Sequence, residues 1–176
     1  MRKLNLFACS IVAATVVGTA GAAEPDVGVL SVERGKGVVV LDLRGSMLGR
    51  LTSGSIRVTD LTPRDRFSAL VVGRKVTEER LGPRVARYRG QGLRFRMVGG
   101  RYRIVLRGTG IDLSAVGRGF VLLDGEPRLD GDTGVYSFDG VDCGVEPLLC
   151  TPLPDEPERF ELGPPPEEID DQPKLR

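Results

Sequence analysis

Histidine and tryptophan are absent from this chain of 176 residues, and asparagine occurs once, at Asn5. The first absence excludes every histidine-based triad, imidazole acid–base mechanism and histidine-ligated metal site. With only three tyrosines and six phenylalanines besides, the chain has few aromatic platforms for a sugar. Lysine is scarce as well, four against 21 arginines, a bias in keeping with a GC-rich coding background. No G-x-S-x-G elbow occurs, and neither Lys36 nor Lys75 stands at S-x-x-K spacing. Gly35-Lys36-Gly37 lacks the remaining residues of a phosphate-binding loop, and Gly108-Thr109-Gly110 lacks the third glycine of a dinucleotide fingerprint. Asp130-x-Asp132-x-Gly134 opens like a calcium loop, but its twelfth position is Val141 rather than an acid. The residues therefore point away from an enzyme, a metal site and a bound cofactor.

The N-terminus has the pattern of an export signal. Arg2 and Lys3 precede an uncharged stretch, and Ala20-Gly21-Ala22 is an A-x-A cleavage motif. A signal peptide over residues 1–23 is expected, giving a secreted or periplasmic chain, with retention as a membrane anchor as the rival. Removal takes Cys9 with it. Cys143 and Cys150 are left, and in an oxidising compartment they are expected to form a disulfide.

The remainder reads as a β domain over residues 24–150, followed by a proline-rich, acidic and disordered tail over 151–176. The globular part has a period of two rather than 3.6. Ser55–Asp60 alternates strictly, and residues 27–32, 38–44, 67–72, 93–98, 101–107 and 120–124 are further β-rich runs bounded by Gly, Pro or Asp-Gly. The polar stretch 76–89 has the one helix-like composition, but Gly82-Pro83 interrupts it. Leu43-Arg44-Gly45-Ser46 recurs as Leu106-Arg107-Gly108-Thr109, and Gly54-x-Ile56-x-Val58 as Gly119-x-Val121-x-Leu123. These patterns imply a mainly β fold, either a single sandwich or a small barrel, with a duplicated strand-turn-strand unit as one origin.

Gly99-Gly100 lies between two alternating runs and predicts a two-residue hairpin turn. Folding there opposes Arg96 to Arg103 and puts Arg94, Arg96, Arg101, Arg103 and Arg107 on one face. Leu93, Phe95, Met97, Tyr102, Ile104 and Leu106 fall on the other. Residues 74–107 carry a net charge of +9, whereas residues 143–176 carry −6. A dense guanidinium face repels itself unless anions sit on it, and the planar fork of arginine suits carboxylate and phosphate. The expectation is a non-catalytic binding module whose five arginines meet an anionic envelope polymer, a lipid headgroup or an acidic protein. An ordinary solvated face and pairing with the acidic tail are the alternatives for the arginines. For the whole chain, the alternatives are a structural envelope protein and a small carboxylate-dependent hydrolase. No nucleic-acid partner and no transmembrane span in the mature chain are expected.

Overall fold

The computed structural model describes residues 27–63, 68–126 and 132–163. The expected signal peptide, Asp130 and residues 164–176 lie outside them. Seven strands form one antiparallel sheet: β1 (Gly28–Asp60), β2 (Leu70–Gly82), β3 (Val85–Met97), β4 (Arg101–Gly125), β5 (Val135–Ser137), β6 (Thr151–Pro152) and β7 (Glu158–Leu162). The hydrogen-bonded path runs β2-β3-β1-β4-β7, and the sheet is not closed into a barrel. No described helix is long and apolar enough to cross a membrane.

The runs expected at 27–32, 38–44 and 55–60 belong to a single strand, β1, because the glycines between them bend the backbone without ending the ladder. Val40 pairs with Val105 on one edge and with Leu122 on the other; Val105 in turn pairs with Val40 and Arg57. The two long strands thus wind about each other and share both edges. Such winding needs close backbone crossings. At one of them Gly54 faces Gly108. Gly54 has φ +143°, and a Cβ there would lie 2.1 Å from the Arg107 carbonyl oxygen, so only glycine fits. The inward-facing set changes phase at this crossing, from Leu51 to Ile56 in β1 and from Leu106 to Ile111 in β4. The repeated Leu-Arg-Gly units lie inside β1 and β4. They share a bend, not the expected turn.

One cluster of buried side chains fills the interior, led by Leu30, Leu41, Met47, Tyr102, Ile104 and Ile111. The stretch of helix-like composition forms the end of β2 and the start of β3, reversing at Pro83 and Arg84. Cys143 and Cys150 form the expected disulfide, with their Cα atoms 5.9 Å apart. Cys143 is buried and its N–H donates to Ser31 Oγ, which ties the clasp to β1. The stretch 151–163 is more ordered than its composition suggests. Its Leu153 and Leu162 are buried, and β7 pairs with β4 from Gly119 to Leu123.

Gly99-Gly100 is not a hairpin turn: β3 and β4 do not pair with each other. Met97 faces Met47 and Arg101 faces Arg44, so β3 and β4 lie along one edge of β1 in succession, with one extra residue between them. Both glycines have positive φ, +72° and +76°, and absorb the extra residue as a bulge rather than a reversal. Arg96 therefore pairs with Leu48 and Leu70, not with Arg103.

Candidate functional site, an arginine row on the outer face

The alternation that buries Leu93, Phe95, Met97, Tyr102, Ile104 and Leu106 leaves Arg94, Arg96, Arg101, Arg103 and Arg107 exposed. The face assignment thus survives the loss of the hairpin, since it depends on strand period and not on partner. The five do not form a single cluster. Arg94 and Arg96 lie on β3 beside Leu48, Leu70 and Val72, whereas Arg101, Arg103 and Arg107 lie on β4 past the bulge.

The β4 group acquires neighbours through the second edge of β1. Arg44 pairs with Arg101 on one side and with Arg118 on the other. Three exposed arginines therefore stand in one cross-strand row, Arg101–Arg44–Arg118. Adjacent strands lie about 4.8 Å apart, so the row spans roughly 10 Å. Like charges set directly opposite each other destabilise a sheet. Arg44 has no acidic partner among the described residues, and neither do Arg94, Arg96 and Arg107.

One carboxylate organises the row. Asp42 sits two residues before Arg44, and its side chain is only 1% exposed. The Nε and Nη2 of Arg103 donate to Asp42 Oδ2 at 2.9 and 2.5 Å, and those of Arg101 donate to Oδ1 at 3.4 and 3.3 Å. Each fork grips one oxygen side-on, which fixes both guanidinium planes while leaving the arginine side chains about half exposed, at 53% and 52%. One carboxylate thus meets two guanidiniums, so the Arg101–Arg103 pair keeps a cationic excess.

Sequence reasoning missed Arg44, Arg118 and Asp42. A signal was present, since Arg44-Gly45 and Arg118-Gly119 repeat the Arg-Gly step of Arg107-Gly108. In each the glycine lies in a strand and a Cβ there would press on backbone across the ladder; at Gly119 it would lie 2.0 Å from the Asp42 carbonyl oxygen. The preceding arginine is thereby turned outward at a crossing.

A second feature lies farther along β1. An open groove of about 670 Å³ is lined by Leu48, Arg50, Arg94, Phe95, Glu33 and Asp112 among others. Burial, then the charge and hydrogen bond of Asp112, raise the Glu33 carboxyl above its ordinary range. Asp112 is fully engaged: Arg34 N–H donates to its Oδ1 at 2.8 Å, and Arg50 Nε donates to Oδ2. Among the described residues no group of acids or cysteines is arranged to hold a metal ion. Asp132 accepts from Gly134 N–H at 2.9 Å, a turn contact within the run that resembles the opening of a calcium loop.

No protein-family model, curated protein or solved structure matches this chain.

Proposed function

We propose that this protein is an exported, non-catalytic β-domain that binds an anionic partner through its outer arginine face. The partner classes are an envelope polymer, a lipid headgroup or an acidic protein. The Arg101–Arg44–Arg118 row carries this reading. A register that sets Arg44 directly beside Arg101 costs stability in the free protein, and a bound anion relieves that cost. Asp42 supports the reading, because it orients Arg101 and Arg103 without neutralising the group. The sheet is best regarded as an incompletely closed barrel, since β1 and β4 each run unbroken around the core.

Replacing Arg44, Arg101 and Arg118 together by glutamine should abolish retention on an immobilised polyphosphate matrix at low salt. Wild-type retention should itself fall steeply as salt rises, since exposed charges are screened within about 8–10 Å near physiological ionic strength. Retention unchanged by the triple substitution would overturn the reading.

The Glu33–Asp112 pair favours a second reading, a carboxylate-dependent hydrolase. It ranks behind the first for a geometric reason. Hydrolytic carboxyl pairs stand roughly 5–9 Å apart to admit substrate or water. Here Asp112 lies close enough for its charge to raise the Glu33 carboxyl, and Arg34 N–H and Arg50 Nε occupy its two oxygens.

A further inference from the structure

A neighbouring part of the outer face carries apolar side chains that the core does not use. Leu48 follows Arg44 by four residues, about 14 Å along an extended strand. It is 59% exposed, although Leu93, Phe95 and Met97 already seal the sheet from within. Across the ladder Leu48 pairs with Arg96, and Arg96 pairs with Leu70 of β2. One step along, Arg50 pairs with Arg94, and Arg94 pairs with Val72. Val116 stands on the other side of β1, opposite Ser46. Leu70, Val72 and Val116 are 57%, 49% and 40% exposed. Directly paired residues share a face, and adjacent strands lie about 4.8 Å apart, so aliphatic and guanidinium groups interleave at the spacing of single side chains. Contiguous apolar groups of this size, left in water, mark a surface that meets a partner.

That partner must satisfy both chemistries at once. Asp112 engages Arg50, but Arg94 and Arg96 have no acidic partner among the described residues. A second open hollow of about 680 Å³ adjoins the groove and shares Arg50, Arg94 and Asp112 with it, so an anion can reach Arg94 from either side. A second copy docked face to face about a twofold axis would set this cationic patch against itself, which like-charge repulsion opposes. A soluble polyanion leaves the aliphatic groups wet. The boundary of an anionic bilayer offers phosphate and hydrocarbon together: long arginine side chains reach the headgroups while their aliphatic neighbours sink beneath.

We propose that Leu48, Leu70 and Val72, interleaved with Arg94 and Arg96, form a docking face for the surface of an anionic lipid bilayer. This rests on the anion-binding reading and selects the lipid surface among its partner classes. Charge draws the face to the membrane, and burial of the three aliphatic side chains at the headgroup boundary holds it there.

The test uses the full chain, sedimented with vesicles of equal phosphatidylglycerol and phosphatidylcholine and, in parallel, retained on immobilised polyphosphate. Leu48→Ser, Leu70→Ser and Val72→Ser together should lower vesicle partitioning about tenfold and leave polyphosphate retention unchanged, which also shows that the variant is folded. Arg94→Gln with Arg96→Gln should lower partitioning by a similar factor, and vesicles of phosphatidylcholine alone should bind the wild type about tenfold less. Leu81→Ser, at the far end of β2, should change partitioning less than about twofold. Polyphosphate retention without vesicle binding overturns the proposal and leaves the anion-binding reading standing. Vesicle binding untouched by the triple aliphatic substitution does the same, because headgroup charge alone would then be acting. An equal loss with Leu81→Ser also overturns it. So does a wild-type dimer in light scattering that the triple substitution abolishes, since the face then belongs to a second copy. Vesicle binding that depends on the three aliphatic groups, without polyphosphate retention, removes the arginine row and keeps the lipid face. If the wild type binds neither, both fall.

Discussion

Asp42 is the residue on which the outer face turns. A buried carboxylate held by two forks is costly to remove, since its loss strands two oriented cations. Asp42→Asn should destabilise the fold by about 1–3 kcal/mol in urea denaturation, the half-exposed arginines recovering some water. The same substitution should tighten polyphosphate binding, because an internal anion is lost from the site. A role confined to stability would leave that affinity alone. Glu33 carries the opposite sense. Its carboxyl is raised by burial and by Asp112, so the folded state favours the protonated form. Its stabilising contribution is complete below the ordinary pKa of 4.5 and is lost as pH rises through the raised value. Glu33→Gln should therefore raise the melting temperature relative to wild type at pH 7, with a smaller gain at pH 4. A gain independent of pH would assign the effect to packing.

At the scale of elements, the bends in the long strands should be the least replaceable positions. Gly54→Ala puts a methyl 2.1 Å from a backbone oxygen at positive φ. A loss of more than about 3 kcal/mol is expected in thermal or urea unfolding, whereas Gly82→Ala, with open space around it, should cost far less. This contrast also shows what the letters could convey. Alternation is local, so the strand runs, the buried face of β3 and β4, and the exposure of the five arginines were all legible. The disulfide was legible from the cysteine count and the expected export. Partnership is not local. Gly99-Gly100 has the chemistry of a reversal and of a bulge alike, and which one forms depends on the far strand β1 offering Met47 and Arg44 as partners. The Arg44–Arg118 pairing was invisible for the same reason. The order over residues 151–163 was hidden because a few residues, Leu153 and Leu162 among them, bury enough surface to hold a segment with few apolar residues.

At the scale of the molecule, charge is segregated along the sequence, and the fold returns part of it to one place: β7 lays the start of the acidic C-terminal region along β4. Near-neutral overall, the protein still presents a cationic surface with guanidiniums from β1 and β4. The winding of those two strands has one more consequence. Val38 needs both Arg107 and Asp124 as partners, so the first third of the chain holds no self-sufficient unit. A nascent chain gains nothing lasting from its early residues until the stretch near residue 125 has emerged. The molecule then assembles in one late event, its two long strands closing on each other together.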